Sequence, residues 1–315
     1  MRRTLVKRRR RERFVHEALM YRGEEEYLAG VVPFVRSARA DDQPVLVAVP
    51  GQQVGLVHDA LGDEAAGVVL LDMADHGRNP GRIIPAVLRR FADDHAPRRV
   101  SIVGEPIWPG RSWAEYAAAV QHEALINLAF AGRDAAILCP YDIAGLDAQA
   151  SADAERTHPV VVTSTERHDS ATYDDPQRVA ASLMELPPTP AEASTMSFTA
   201  ASAVRRVVAY EAGRAGLQAD RLADLELAVN EVATNSLIHA GGSGVLSVWS
   251  ERGHLVCEVR DSGHITDPLA GRLTPAVEST TGRGLLLANC VCDLVQVCTH
   301  RSGTAIRLWM RLQAS

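Results

Sequence analysis

The chain has 315 residues, of which 46% are hydrophobic and 23% charged, and its formal net charge at pH 7 is −6. This length and composition are typical of a globular protein with about two domains. Every apolar run falls short of the ~20 residues that a membrane span needs, and the net acidity argues against a dedicated nucleic-acid-binding protein.

The first thirteen residues are rich in Arg and Lys. No apolar segment follows them, so they do not indicate a secretory signal. Such a run is attracted to nucleic acids and membrane surfaces, but the acidity of the whole chain favours the solvated start of a helix.

The cysteine usage predicts a reduced, cytoplasmic protein, because the number of cysteines is odd and no secretory signal precedes them. The spacing of Cys290, Cys292 and Cys298 fits no zinc pattern. The five positions are Cys139, Cys257, Cys290, Cys292 and Cys298.

From residue 44 to 142 short apolar runs alternate with helical patterns. Apolar runs without polar alternation are typical of strands that are buried on both faces. The pattern therefore predicts an α/β domain with a parallel sheet between two layers of helices. Predicted strands are residues 45–49, 68–73, 100–103, 135–139 and 160–163, and predicted helices are 54–61, 83–94, 113–130 and 176–184.

The loops of this first domain carry its candidate site. The first predicted strand is followed by residues 50–55, which lack the Lys and the hydroxyl of a phosphate-binding loop, so we expect no nucleotide here. Loops after parallel strands usually bind the ligand of such folds. We expect Trp108, Cys139 and Tyr141 to line one pocket, with His16 and Glu123 nearby.

Three segments, residues 16–21 ahead of the predicted sheet, 104–111 and 139–142, resemble the MEDS domain. The resemblance covers about residues 12–150 and implies a RecA-like sheet that senses a small ligand. The alternative is that Trp108 and Tyr141 only pack within the domain, and we favour sensing.

Residues 186–194 are rich in proline and small side chains, which is typical of a linker. We therefore predict three parts: a sensory domain at 1–185, a linker at 186–196 and a second domain at 197–315. Predicted helices of the second domain are 199–215, 219–240 and 284–292, and predicted hairpins pair 245–251 with 254–261 and 294–299 with 305–312. This order indicates an α+β sandwich of helices on a mostly antiparallel sheet.

The long helix of the second domain carries Glu231 and Asn235 one turn apart, so both side chains share a face. An amide oxygen can bind Mg²⁺, and a carboxylate beside it can accept a proton.

Three further elements follow in order. Asp261 with Gly263 ends a strand, where a carboxylate can accept a hydrogen bond from an exocyclic amine and a glycine allows close approach. Residues 282–285 open a helix, whose first N–H groups suit phosphates. Residues 303–304 lie in the last hairpin, where a hydroxyl can support the contact of Asp261. Each element alone is weak evidence, but the four together indicate a nucleotide site.

These elements resemble the GHKL ATPase superfamily, and most closely its anti-sigma-factor serine/threonine kinases. The resemblance covers the second domain and implies a GHKL-type fold that binds ATP and Mg²⁺. It implies that Asn235 coordinates Mg²⁺, that Glu231 is the catalytic base, that Asp261 reads adenine, and that residues 262–281 form a lid over ATP. The remaining nucleotide-binding residues that it implies are Gly263, Gly282, Arg283, Gly284, Leu285 and Thr304.

Two points stay open. Kinases of this branch can carry an arginine shortly before the second glycine box, where this chain has residues 278–281, Glu-Ser-Thr-Thr, and Arg283 is a candidate substitute. His239, one turn beyond Asn235, either contacts phosphate or metal, or is a polar residue that the helix dipole favours near the C-terminus.

The sequence thus predicts a cytoplasmic bacterial regulator in which a sensory domain controls an ATP-dependent protein serine/threonine kinase. The alternative is a partner-switching protein that holds ATP without transferring phosphate. A sigma factor or an antagonist of an anti-sigma factor is the expected partner, without nucleic acid or membrane, and homodimerisation is left open. A histidine kinase is disfavoured, because no helix pair for a phosphoacceptor histidine fits between residues 186 and 219.

Overall fold

The computed structural model describes residues 13–183, 185–275 and 282–312. Within these ranges the chain forms two sheets, one with seven strands and one with five, each with its own helices. None of the helices described here combines the length and the hydropathy that a bilayer crossing requires.

The first sheet and its helices occupy residues 14–182. Its strands are β1 (Phe14–Tyr21), β2 (Val45–Val49), β3 (Val69–Asp72), β4 (Val100–Gly104), β5 (Ala135–Asp142), β6 (Val160–Val162) and β7 (Arg167–Asp169). Its helices are α1 (Gly23–Ala40), α2 (Gly51–Leu61), α3 (Met73–His76), α4 (Pro80–Ile83), α5 (Arg90–Asp94), α6 (Trp113–Ala129), α7 (Ala148–Thr157) and α8 (Pro176–Ser182), with a 3₁₀ turn at Gly62–Gly67 and a π-helical segment, Ile84–Arg89, between α4 and α5.

The strand order is β3-β2-β4-β5-β1-β6-β7, with every neighbouring pair parallel except β6 and β7. Successive residues of a strand point to opposite faces. In β1, Leu19 and Tyr21 therefore join the core under α1 and α2, whereas Ala18 and Met20 join the core under α6. The predicted α/β class, with helices on both faces of a largely parallel sheet, is confirmed.

Residues 16–21 do not precede the sheet, as the sequence suggests, but lie within β1 between β5 and β6. The polar His16 and Glu17 interrupt the apolar run that marks the other central strands. His16 is nevertheless buried, because it lies on the face that α6 covers.

The second sheet and its helices occupy residues 194–311. The strand order is β11-β12-β10-β9-β8, all antiparallel, and α10 packs against both α9 and α11. The predicted sandwich of helices on an antiparallel sheet is confirmed. Its elements are β8 (Ser194–Phe198), α9 (Ala201–Arg214), α10 (Ala219–His239), β9 (Gly244–Glu251), β10 (His254–Asp261), α11 (Arg283–Val291), β11 (Leu294–His300) and β12 (Gly303–Arg311).

The proline-rich segment between the two sheets is bound to the second one. Glu258, fully buried in β10, accepts hydrogen bonds from Thr189 at 2.5 Å and from Arg307 at 2.6 Å, and Arg307 also donates to the carbonyl of Pro187. A charge pair in the interior is tolerated only where its remaining hydrogen bonds are made. These bonds fix the segment against the sheet.

The free face of the second sheet packs on the first domain. Alternation along the strands places one set of side chains under α9, α10 and α11 and the other set against Ala114 and Ala118 of α6. That second set is Trp249, Val256, Leu294 and Trp309. Helix α6 therefore belongs to both interfaces, the first sheet on one side and the second sheet on the other.

Candidate functional site

Glu231 and Asn235 lie half-buried on α10, where the helix meets the first turn of α11. Gly284, in the first turn of α11, lies directly against both side chains. A Cβ added there would lie 3.0 Å from Glu231 Oε2 and 3.2 Å from Asn235 Nδ2. The missing side chain of Gly284 thus leaves room for a carboxylate and an amide beside the N-terminus of a helix.

Asp261, the last residue of β10, is held by two hydrogen bonds. Its Oδ1 accepts from the backbone N–H of Gly263 at 2.8 Å, and its Oδ2 accepts from the hydroxyl of Ser236 on α10 at 2.6 Å. Each carboxylate oxygen has further lone pairs, so Asp261 keeps the capacity to accept from a ligand.

Thr304 braces the loop after Asp261. Its hydroxyl donates to the carbonyl of Gly263 at 2.8 Å and lies 3.0 Å from the hydroxyl of Thr299. The neighbouring Gly303 has φ +131°, and a Cβ there would lie 1.9 Å from the carbonyl oxygen of Asp261. Only glycine therefore allows β12 to approach Asp261 this closely.

The second glycine-rich element forms the start of α11. Gly282 precedes the helix in the left-handed conformation at φ +85°, Arg283 is its first residue and exposed, and Leu285 is buried. A pocket of about 290 Å³ opens here, lined by Asn235, Asp267, Leu269, Ala270, Gly271, Leu273, Pro275, Gly282, Gly284 and Leu285. The N–H groups of a helix start carry partial positive charge, which suits an anionic ligand.

His239 is the last residue of α10 and exposed, at the end of the helix rather than beside Gly284. Of the segment expected to form the lid, the structure describes residues 262–275. Residues 278–281, where an arginine is expected from the resemblance, lie outside the described residues.

The described part of that segment is fixed to the first domain. Arg272 is buried and donates to the carbonyl of Pro80 at 3.2 Å and to Gln121 Oε1 of α6 at 2.9 Å. Nearby, Asn79 donates to the carbonyl of Asn289 in α11 at 2.9 Å. Both the segment and α11 are therefore joined to the first domain by hydrogen bonds.

Three of the five residues expected to bind a sensed ligand meet beneath α6. Glu123 Oε2 lies 3.2 Å from His16 Nε2 and 3.4 Å from Cys139 Sγ, and the sulfur lies 3.4 Å from the same His16 nitrogen. All three are buried. The meeting point is inside the core between the sheet and α6, and not at the carboxyl edge of the strands where the sequence places it.

The two aromatic residues behave differently. Tyr141 is buried next to the cluster, with its ring edge-on to the ring of His158 at 5.6 Å between centroids. Trp108 packs against the apolar core that also contains Cys139 and Tyr141, and the guanidinium of Arg111 lies 3.7 Å over its ring. That Trp108 shares a ligand pocket with these residues stays a prediction.

Burial and mutual contact shift the titration of these groups. Burial, and next the charge of His158, lower the pKa of His16 to about 4. Burial, and next Glu123, raise the pKa of the Cys139 thiol well above its usual range.

The sequence interpretation missed His158, whose Nε2 lies 3.2 Å from Glu123 Oε2. It follows α7 directly and is buried. No short motif marks it, since it lies 142 positions after His16 and 19 after Cys139 in the chain. Only the three-dimensional fold shows that this histidine lies beside Glu123.

Comparison with known families matches both halves of the chain. Residues 15–159 match the MEDS domain, described as the methanogen/methylotroph, DcmR sensory domain. Residues 195–310 match the histidine kinase-like ATPase domain. No curated protein matches the chain.

Among solved structures, the RsbU and RsbW domains of Rv1364c from Mycobacterium tuberculosis are similar to this chain. The sequence identity is 21%, the match covers 41% of this chain and 34% of that chain, and the TM-score is 0.30. The match thus spans about a third of that structure, and a likeness this distant carries no argument about function.

Proposed function

The chain joins an N-terminal MEDS domain to a C-terminal histidine kinase-like ATPase domain, and on this basis we propose that it is a signalling regulator with kinase activity. The first domain senses a small ligand. The second is an ATP-dependent protein serine/threonine kinase of the anti-sigma-factor type. The observation that carries the proposal is the convergence of Glu231 and Asn235 on Gly284 at the start of α11.

The residues around the pocket fit a nucleotide. Asp261, aligned by Ser236 and the N–H of Gly263, accepts a hydrogen bond from the exocyclic amine of adenine. The phosphates lie toward the first turn of α11, where N–H groups and the helix dipole attract anions. Arg283, the first residue of that turn, is the candidate cation for the γ-phosphate.

Asn235 presents an amide oxygen, a donor type that Mg²⁺ accepts. Bound there, Mg²⁺ would supply positive charge against the phosphate oxygens. Gly284 leaves no Cβ between the amide and the helix start, so the amide reaches the pocket that it lines.

Glu231 lies one turn before Asn235 on the same face of α10. In the proposed reaction Glu231 accepts the proton of a serine or threonine hydroxyl. The hydroxyl oxygen forms a bond to the γ-phosphorus while the bond from that phosphorus to ADP breaks. The acceptor residue belongs to an antagonist protein, and the partner of the regulator is that antagonist or a sigma factor.

The route from sensor to kinase runs through α6. Glu123 of this helix lies in the buried cluster, and Gln121 of the same helix accepts from Arg272 of the segment over the nucleotide pocket. A displacement of α6 in response to a ligand therefore reaches a residue beside the ATP site directly.

Incubation of the full chain with γ-labelled ATP and candidate antagonist proteins tests the proposal. Wild type should label a serine or threonine of the antagonist. Glu231→Gln should bind ATP as wild type does and transfer phosphate roughly 10²–10⁴-fold more slowly, the usual contribution of a positioned base.

The matched control is Glu226→Gln on another face of α10, which should transfer at the wild-type rate. Equal, near-zero transfer by wild type and Glu231→Gln, with tight ATP binding by both, would identify a partner-switching protein that only holds ATP. Transfer at the wild-type rate in Glu231→Gln would remove Glu231 from the mechanism.

A further inference from the structure

The buried cluster of the first domain has the composition of a metal site. We propose that His16, Glu123, Cys139 and His158 bind one transition-metal ion of the zinc class, with two imidazole nitrogens, a carboxylate oxygen and a thiolate as ligands. The proposal stands independently of kinase activity in the second domain.

The distances suit four ligands around one ion. The four donor atoms all lie within 4.8 Å of one another. Glu123 Oε2 is 3.2 Å from the Nε2 atoms of both histidines, and Cys139 Sγ is 3.4 Å from Glu123 Oε2 and from His16 Nε2. Tetrahedral zinc, with bonds of about 2.0–2.3 Å, places its ligands about 3.3–3.7 Å apart. These four of the six ligand-to-ligand distances agree with this value to within a tenth or two of an ångström, and the other two lie within 4.8 Å.

The other nitrogen of His16 is already occupied. Its Nδ1 lies 3.1 Å from Asn127 Oδ1, and the amide of Asn127 is oriented by its own donation to the carbonyl of Thr157 at 2.8 Å. His16 therefore donates through Nδ1–H and directs the lone pair of Nε2 into the cluster. Such a partner behind the ring is the usual support of a metal-binding histidine.

His158 is oriented in the same way by a different group. Its Nδ1 lies 2.9 Å from the carbonyl oxygen of Ala154, which can only accept. The lone pair of His158 Nε2 therefore also faces Glu123. The centroids of the two imidazole rings are 4.0 Å apart.

Without a cation, this arrangement brings hydrogen-bond acceptors together with too few hydrogens between them. Two imidazole lone pairs converge on one carboxylate oxygen, and the thiol of Cys139 supplies one hydrogen for all of them. Within the described residues, His158 Nε2 and Glu123 Oε1 have no hydrogen-bond partner. Buried polar atoms without partners are costly. A divalent cation at the centre would be bound by these lone pairs. Its two positive charges would balance the negative charges of one carboxylate and one thiolate.

The site joins distant parts of the first domain. Its ligands come from β1, α6, β5 and the residue after α7, and all four are buried. Four protein ligands leave no open position for a reacting water, so this is a closed, stabilising site rather than a catalytic one. Binding of the ion should therefore stabilise the fold of the whole first domain.

The experiment uses the full chain, purified, stripped of metal with a chelator, and titrated with Co²⁺ or Zn²⁺. We expect one ion per chain by elemental analysis and a raised melting temperature. We also expect the intense visible bands of tetrahedral Co²⁺ with a near-ultraviolet thiolate-to-cobalt band, all lost on addition of Zn²⁺. A wild-type chain that binds neither ion at this stoichiometry, and whose melting temperature neither ion changes, would overturn the proposal.

Variants identify the ligands. Cys139→Ser should remove the thiolate band, whereas Cys290→Ser, at an exposed cysteine, should keep it. Asn127→Ala should keep the band but weaken Co²⁺ binding about 10–100-fold, as loss of the group behind a ligand does. A thiolate band that persists in Cys139→Ser contradicts the assignment.

If a ligand variant does not fold, X-ray absorption spectroscopy of the wild-type Co²⁺ protein identifies the ligands instead. One sulfur and three nitrogen or oxygen neighbours are expected. A shell without sulfur, or with six oxygens, refutes the site.

Discussion

At the scale of single residues, Asp261 ends β10, and the backbone N–H of Gly263 and the hydroxyl of Ser236 fix its carboxylate. In the proposed binding mode Asp261 contacts adenine, the part that ATP and ADP share.

Replacement of Asp261 by Asn should weaken ATP and ADP binding by the same factor, because adenine is common to both. Loss of one charge-assisted hydrogen bond costs ~1.5–3 kcal/mol, or roughly 10- to 100-fold in affinity. Calorimetric titration with each nucleotide measures this. Asp220→Asn, at an exposed position of α10, is the control, and a mutant that discriminates between ATP and ADP would place Asp261 near phosphate.

Glu105, just after β4, predicts a pH dependence of stability. It is buried, and the hydroxyl of Tyr21 donates to its Oε1 at 3.1 Å. Burial raises the pKa of this carboxyl from 4.5 to about 8. Between these two values the folded state holds a proton that the unfolded state has lost, so the free energy of unfolding falls as pH rises from 4.5 toward 8.

Glu105→Gln should remove this slope and stabilise the protein at pH 8 by roughly 3–5 kcal/mol relative to wild type, since a tenfold change in the proton affinity of a group on folding corresponds to about 1.4 kcal/mol. Urea unfolding across this pH range measures the difference. The exposed Glu25→Gln should leave the slope unchanged. A Glu105→Gln slope equal to that of wild type would show that the carboxyl is ionised in the folded state.

Short sequence motifs identify only some of the residues that meet in the folded chain. Glu231, Asn235 and Asp261 stand in short patterns that the sequence displays. The buried cluster proposed to bind a metal ion also includes His158, which no sequence pattern connects to Cys139 or His16. Its members meet only because β1 lies between β5 and β6 and α6 covers that face.

At the scale of elements, apolar runs predicted β2 to its exact bounds and β3 to β6 to within a few residues. Three strands were missed, β1, β7 and β8. β7 is a short, exposed strand of three residues, and the other two were missed for opposite reasons. β1 is central, but His16 and Glu17 interrupt its apolar pattern. β8, Ser194–Phe198, is an edge strand that, among the described strands, pairs only with β9; it is mostly exposed, so it needs no apolar pattern. It begins inside the stretch that the sequence predicts as a linker.

At Gly284 of α11, one substitution can keep the helix stable and still disturb the candidate site. Alanine there favours the helix by about 1 kcal/mol over glycine. The same Cβ would lie 3.0 Å from Glu231 Oε2 and 3.2 Å from Asn235 Nδ2. Gly284→Ala should therefore keep the melting temperature within a few degrees of wild type and still weaken Mg²⁺-dependent ATP binding about tenfold or more.

Gly213→Ala in α9 is the matched control, because a Cβ there meets nothing within 4 Å. It should stabilise the protein slightly and leave ATP binding unchanged. Wild-type ATP affinity in Gly284→Ala would mean that Glu231 and Asn235 do not need the space at the start of α11.

At the scale of the whole molecule, hydrogen bonds join the two domains beside the proposed nucleotide pocket. Residues 267–275 contribute much of the lining of the pocket, and Arg272 among them is anchored on Pro80 and Gln121. Burial lowers the pKa of Arg272 to about 10, still well above neutral, so it remains a charged donor. The first domain therefore holds one wall of the proposed ATP pocket in place.

Arg272→Met, which keeps much of the length of the side chain but removes its donors, should weaken ATP binding about tenfold, because a wall that must be ordered on binding costs affinity. Gln121→Ala, in the first domain, should lower ATP affinity in the same direction although it lies 151 positions away in the chain. The exposed Arg205→Met should have no effect. Fluorescent nucleotide titration of wild type and the three variants measures these affinities.

The double variant decides whether the two residues act together. If Gln121 affects ATP only through Arg272, the loss of affinity in Gln121→Ala/Arg272→Met should equal that of Arg272→Met alone and fall short of the sum of the two single losses. Additive losses would mean that α6 and the pocket wall act separately. That result would break the proposed route from the first domain, through Gln121 of α6, to the ATP site.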